Sequence, residues 1–178
     1  MRVVIESIEG EYRRCKKMAE AAFCQLTEAQ LAQVAGSTSN SVATIAWHIA
    51  GNLRSRFTDF LETDGEKPWR DRETEFIPRR VTHSELLAFW EQGWQAMSNA
   101  TAGLHDRDLE RTVTIRNQRL PVVEALHRSL AHASSHVGQI VFLAKALRGG
   151  EWNVLSIPPG QSEEFNRNPV LGTPQNST

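Results

Sequence analysis

Two histidines near the end of the chain have the spacing of metal ligands. His132 and His136 lie four residues apart within LHRSLAHASSHVGQIVFLAKAL, residues 126–147. On a helix, imidazoles at this spacing stand on neighbouring turns of one face, where both can bind the same ion. The alternative is that each histidine is a half-buried, hydrogen-bonded side chain at the edge of the core. The spacing alone does not separate these two interpretations, so the helix that carries the pair must be considered.

The apolar stripe of that predicted helix has both histidines at one edge. Ser129 and Gln139 lie close to them, which makes these two residues weaker candidates for contacts with a metal ligand or a substrate. His127 falls at the opposite edge of the stripe, so it cannot share an ion with His132 and His136 within one helix.

A third histidine occupies the same kind of position on another predicted helix. In segment 41–61, apolar residues recur at helical spacing, and His48 and Asn52 lie together just outside the stripe. If the two helices pack by their apolar faces, His48 can join the pair at one mouth of the bundle. Three neutral imidazoles leave coordination positions open to water or substrate, as catalytic metal sites require. Asn52 is a candidate to support a ligand or hold substrate, and helix capping or packing fits it equally well.

The hydrophobic periodicity of the whole chain predicts one all-α domain over residues 1–166. Apolar residues at helical spacing mark four long helices, at about 3–25, 41–61, 82–103 and 121–148. A long charged crossover, 63–80, completes a single four-helix bundle and is long enough to cover a site. Residues 112–122 fit a small β-hairpin with a turn at Asn117-Gln118. We expect an irregular tail to about Asn166 and disorder over 167–178.

The composition excludes several classes of function. The chain has 178 residues and a formal net charge of −1, with acids and bases interspersed, so no surface for nucleic acid or anionic lipid is predicted. No apolar run is long enough to span a membrane. The N-terminus, MRVVIESIEGEYRR, turns acidic too early for a signal peptide. The sequence therefore predicts a cytoplasmic protein.

The two histidine motifs, in this order, resemble those of the DinB-like (YfiT-like) metalloenzyme family. The similar segments are SVATIAWHIAGNLRSRF, residues 41–57, and HRSLAHASSHVGQIVFLAKALRG, residues 127–149. The segment SIPPGQSEEFN, residues 156–166, looks like the ending of an uncharacterised branch of that family. The resemblance implies an up-down-down-up four-helix bundle, often a homodimer. It also implies a divalent metal, zinc or nickel, held by His48, His132 and His136.

Three functions follow from these observations. Related branches of the family are similar to bacillithiol- or mycothiol-dependent enzymes, which favours a metal-dependent transferase or detoxifying enzyme that activates a low-molecular-weight thiol. The second candidate is a hydrolase with metal-activated water as nucleophile, whose base would be a loop residue such as Glu66, Glu73 or Glu75. The third is a non-catalytic stress-response or binding module. No Asp or Glu accompanies the histidines at helical spacing, which argues against a ferritin-like di-iron site.

Overall fold

Helices make up most of the computed structural model, which describes residues 1–36 and 39–169. The elements are α1 (Val3–Phe23), α2 (Glu28–Ala32), α3 (Val42–Phe57), α4 (His83–Ala102), β1 (Thr112–Ile115), β2 (Gln118–Pro121), α5 (Val122–Arg148) and α6 (Ser162–Arg167). Helices α1, α3, α4 and α5 form the bundle, and β1 pairs with β2 in an antiparallel hairpin. The predicted fold class, a four-helix bundle with a small hairpin, is confirmed.

Capping residues explain where the central helices begin. Ser41 accepts a hydrogen bond from the Thr44 amide at the start of α3. Thr82 and Glu85 form a reciprocal capping box at the start of α4. The end of α3 differs from the prediction, because the helix stops at Phe57 and not at residue 61. Asp59 has a φ of 47°, and this left-handed conformation cannot continue a helix.

Contacts between aromatic and backbone groups define the directions of the helices. Trp47 of α3 stacks on Phe89 of α4 with ring centroids 4.0 Å apart, and Ala50 lies against Gly93 one turn further along both helices. These two helices are therefore parallel. In α1, the Tyr12 hydroxyl donates to the Leu126 carbonyl near the start of α5.

The residues that follow α1 and α5 also lie together. Gln25, just after α1, bonds to Asn153, just after α5, so these two helices are also parallel. His48 of α3 lies near His136, whereas Arg56, two turns later, shares a cleft with Ser129. Helices α3 and α5 are therefore antiparallel, and the bundle has the up-down-down-up topology that was expected.

The core lies between the four long helices. Trp90 and Trp94 of α4 are 1% and 2% exposed and pack edge-on or tilted against each other and their neighbours. Both tryptophans are therefore part of the core. Other fully buried side chains come from the remaining helices: Ile5, Tyr12, Phe23, Ile49, Leu53, Leu126 and Ile140.

The long crossover after α3 folds back over that helix and is tied to the hairpin. Its 3₁₀ turn, Glu73–Phe76, packs on α3. The Asp64 carboxylate accepts the amide N–H groups of Arg116 and Asn117, and the Gly65 amide donates to Thr114. Arg116 and Asn117 have φ values of 54° and 59°. The hairpin turn is therefore at 116–117, one residue before the predicted position.

Among the described residues, the chain after α5 is irregular apart from a 3₁₀ turn, Gly149–Glu151, and the short α6. The predicted irregular tail therefore contains one helical turn that the sequence pattern did not indicate. Disorder was predicted for 167–178, and residues 170–178 of that segment lie outside the described residues. No described helix is long and apolar enough to cross a membrane.

Candidate metal centre

The three predicted histidines meet at one point between α3 and α5. His48, His132 and His136 each offer a ring nitrogen, and these atoms all lie within 4.8 Å of one another. His48 comes from the middle of α3, and the other two stand on successive turns of α5. Ring centroids are 5.1 Å apart from His48 to either partner and 4.6 Å between His132 and His136.

The crossover supplies a carboxylate that orients His48. Glu75 Oε2 lies 2.8 Å from His48 Nδ1. A carboxylate only accepts, so Nδ1 carries the proton and Nε2 presents its lone pair to the cluster. Arg70 holds the same carboxylate from the other side, with Nε 2.8 Å from Oε1 and Nη2 2.9 Å from Oε2. The side chains of Arg70 and Glu75 are only 2% and 6% exposed.

The Glu75 carboxyl stays ionised in this buried position. Burial alone would raise the pKa of Glu75, but hydrogen bonds from His48 and Arg70 outweigh burial and hold the pKa below its usual range. Phe76, the next residue, packs against the His48 ring with centroids 4.7 Å apart. The crossover therefore fixes His48 in two ways, through the hydrogen bond to Glu75 and through packing against Phe76.

A side-chain amide orients another histidine of the cluster. Gln139 Oε1 lies 2.9 Å from His136 Nδ1, one turn along α5. Because the amide oxygen accepts, Nδ1 of His136 carries the proton and its Nε2 is available as a ligand. Gln139 thus contacts a candidate ligand, as its spacing in the sequence suggested.

The two histidines of α5 are neutral near pH 7. Burial, followed by the neighbouring His136 and His48, lowers the pKa of His132 to about 4. Burial also lowers the pKa of His136, although the hydrogen bond with Gln139 opposes this shift. Neutral imidazole is the form that binds metal, because a protonated nitrogen has no lone pair to donate.

The spacing between one pair of nitrogens fits a shared ion. His48 Nε2 and His132 Nε2 are 3.1 Å apart. At a zinc–nitrogen distance of 2.0–2.1 Å, two imidazole nitrogens on one ion stand about 2.9 to 3.4 Å apart. Three neutral imidazoles, two of them oriented by hydrogen bonds at Nδ1, form a donor set suited to a divalent metal ion. The residues present therefore fit a divalent metal.

A cleft of about 490 Å³ opens beside the cluster between α3, α5 and the hairpin. Asn52, Ser129 and His132 all line it, so two further candidate residues from the sequence lie where a substrate would approach the histidines. A larger cleft, about 780 Å³, lies between the end of α3 and α4, and none of the three histidines lines it.

Three loop glutamates were candidate bases, and the structure separates them. Glu75 contacts the cluster, Glu66 pairs with Arg56 and Arg116, and the Glu73 side chain is 85% exposed. The role of Arg70 was missed altogether. The only signal for Arg70 was its place in a charged crossover, because no spacing rule relates a loop residue to a histidine on a preceding helix.

Comparison with known proteins gives a family and a fold. A family model described as "Protein of unknown function (DUF1572)" matches residues 2–161. The fold is similar to the crystal structure of a conserved protein from Enterococcus faecalis, with a TM-score of 0.65, 16% identity, and coverage of 84% of this chain and 99% of that chain. No match to the curated proteins was found. Neither description carries the DinB-like name, which stays a prediction. With nearly its whole length matched, the chain belongs to the DUF1572 family.

Proposed function

We propose that this protein is a metal-dependent transferase that acts on a low-molecular-weight thiol. In this proposal His48, His132 and His136 hold one divalent cation, zinc or nickel. The convergence of three imidazoles within 4.8 Å of one another is the observation that carries it. A three-histidine donor set leaves coordination positions open, which is the arrangement of catalytic and not of structural metal sites.

The chain's own residues supply the positioning for this chemistry. A bound divalent cation would lower the pKa of a thiol that reaches it, so that the thiolate is present at neutral pH. Glu75 and Gln139 hold the imidazoles of His48 and His136 in orientation. Asn52 lines the adjoining cleft, and in this proposal it holds the thiol or its acceptor.

The environment of Glu75 favours thiol transfer over hydrolysis. Both carboxylate oxygens are occupied by Arg70 and His48, and the pKa of Glu75 is lowered. A carboxylate in this state is a weak base, and three of its roughly four acceptor sites are already engaged. A thiol needs a weaker base than water does, since its ordinary pKa is about 8.5.

Metal content tests the first step of the proposal. We expect the purified wild-type protein to bind about one equivalent of zinc or nickel and the His132→Ala and His136→Ala variants to bind far less. His127→Ala is the matched control, because His127 is exposed on the same helix and lies off the cluster. Equal metal content in wild type and both cluster variants would refute the site.

Turnover of a thiol and an acceptor tests the second step of the proposal, the transfer reaction itself. The metal-loaded protein is incubated with a panel of low-molecular-weight thiols and an epoxide or chlorinated acceptor, and loss of free thiol is followed. Thiol consumption that depends on the metal supports the transferase. Turnover of ester or amide substrates without thiol would instead support the hydrolase, and absence of turnover with bound metal would leave a non-catalytic binding module.

A further inference from the structure

The cleft beside His132 has a strong excess of positive charge. Five charged side chains line it: Arg56, Arg116, Arg119, Arg128 and Glu124. Glu66, just outside the lining, accepts hydrogen bonds from Arg56 and Arg116, and Glu124 accepts one from Arg128. The two carboxylates therefore leave two positive charges uncompensated. The whole chain has a net charge of −1, so this local excess does not reflect a generally basic protein.

The hairpin and its attachment to the crossover loop fix the positions of Arg116 and Arg119. Asp64 accepts the amides of Arg116 and Asn117, which fastens the hairpin turn to the crossover loop. Strand β2 then carries Arg119, exposed and opposite Thr114. Arg119 forms no ion pair with the described residues, so its guanidinium is available to a ligand.

Ser129 lines the same part of the cleft as Arg128, its neighbour on α5. Ser129 is 9% exposed and its Oγ is buried, within hydrogen-bond reach of the Tyr12 hydroxyl. The polar contacts that this cleft offers to a ligand therefore come from its arginines.

We propose that this cleft binds the anionic part of the substrate, a carboxylate or phosphate group, while the reactive group of the same molecule lies at the three histidines. Guanidinium groups match the planar geometry of these oxyanions and hold them through two parallel hydrogen bonds. Arg119 supplies the free charge. The inference rests on the proposed function for the position of the reactive group, but the anion site itself depends only on the cleft.

Binding of simple anions tests the cleft without the metal. Succinate and inorganic phosphate are titrated into the full-length protein, freed of metal with a chelator, and heat is measured. We expect saturable binding that is weakened about tenfold or more in Arg119→Gln, the loss of one charge-assisted contact, and unchanged in Arg107→Gln. Arg107 is an exposed arginine away from the cleft. The tighter of the two anions identifies the group, and equal binding to wild type and Arg119→Gln would overturn the proposal.

A matched pair of thiols tests the link to the metal centre. Mercaptosuccinate carries two carboxylates, whereas thioglycerol carries two hydroxyls and no charge. With the metal-loaded protein, Arg119→Gln should weaken mercaptosuccinate about tenfold or more and change thioglycerol less than about twofold. Equal losses for both thiols would overturn the proposal. If the protein binds no metal, the proposed function fails. The succinate and phosphate titrations still decide whether the cleft binds anions.

Discussion

The Glu75 carboxylate packs against the backbone of Gly51, in space that any other side chain at position 51 would fill. A Cβ on Gly51 would lie 2.9 Å from Glu75 Cδ and closer still to Oε1. Gly51 is three residues after His48, so α3 both carries a candidate ligand and leaves room for the carboxylate that orients it. Such a role accounts for glycine inside a helix, where alanine is favoured by about 1 kcal/mol.

Replacing Gly51 by alanine should displace Glu75 and weaken the metal site. We expect zinc affinity to fall by about 10- to 100-fold, the usual effect of losing a group that orients a ligand. Calorimetric titration of the metal-free protein measures this change. Gly138→Ala is the matched control, because a Cβ at this helical glycine meets nothing within 4 Å. Wild-type affinity in Gly51→Ala would show that the carboxylate does not need this space.

Replacing Glu75 by glutamine tests the charge of the carboxylate while keeping its shape. The amide oxygen can still accept from His48 Nδ1, but the ion pair with buried Arg70 is lost. We expect zinc affinity to fall about 10-fold or more and the protein to be less stable, because the Arg70 charge is left buried without a partner. Glu73→Gln, at an exposed position in the same 3₁₀ turn, should behave like wild type in both measurements.

The three histidines were predictable because helical periodicity relates residues on one helix and places apolar faces together. His132 and His136 needed only their spacing, and His48 needed the assumption that α3 and α5 pack by their apolar faces. The structure brings all three within 4.8 Å. The boundaries set by capping residues were also predictable, since Ser41 and Thr82 act within four residues of chain.

The supporting groups were not predictable because they depend on how a loop folds. Glu75 reaches His48 across 27 residues, and Asp64 reaches the hairpin turn across more than 50. No periodic pattern relates such positions, so Glu75 was one of three equivalent loop glutamates in the sequence. The arginines of the cleft come from α3, the hairpin and α5 together. The net charge of the whole chain gave no indication that they meet in one cleft.

Removal of the metal should lower thermal stability. A ligand present at about 100 times its dissociation constant stabilises the folded state by about 2.7 kcal/mol. We therefore expect a chelator to lower the melting temperature of the metal-loaded wild-type protein by several degrees, and added zinc to restore it. His132→Ala should show neither change. An equal response of this variant would place the stabilising ion elsewhere in the chain.

The metal-free protein should lose stability as the pH falls from about 6.5 towards 4. The pKa of His132 is about 4 in the folded state and that of His136 is also lowered, whereas unfolded histidine titrates near 6.5. Between these values the unfolded chain binds protons that the folded chain does not, so the free energy of unfolding decreases as the pH decreases. Urea unfolding at several pH values measures the slope.

Substitution of the titrating group separates this effect from general acid sensitivity. His132→Asn removes the imidazole with the lowest pKa, so the slope between pH 6.5 and 4 should be shallower than in wild type. His127→Asn, at an exposed position on the same helix, should keep the wild-type slope. Identical slopes in all three proteins would mean that His132 takes up its proton as readily in the folded state as in the unfolded state.

Close contact between α3 and α4 gives the last prediction. A Cβ on Gly93 would lie 2.6 Å from the Ala50 carbonyl oxygen and 2.7 Å from Ala50 Cα. Backbone atoms cannot move aside as a flexible side chain can, so Gly93→Ala must push the two parallel helices apart. Overpacking of this kind costs about 1 to 3 kcal/mol, which should exceed the gain of about 1 kcal/mol from replacing a helical glycine.

Urea unfolding of the metal-free protein measures the balance of these two effects. Gly93→Ala should lower the free energy of unfolding, whereas Gly138→Ala, with open space at its Cβ, should raise it slightly. Opposite signs for the same chemical change would establish that helix approach, and not helix propensity, governs position 93. A gain in stability at both positions would mean that α3 and α4 lie further apart than Ala50 and Gly93 indicate.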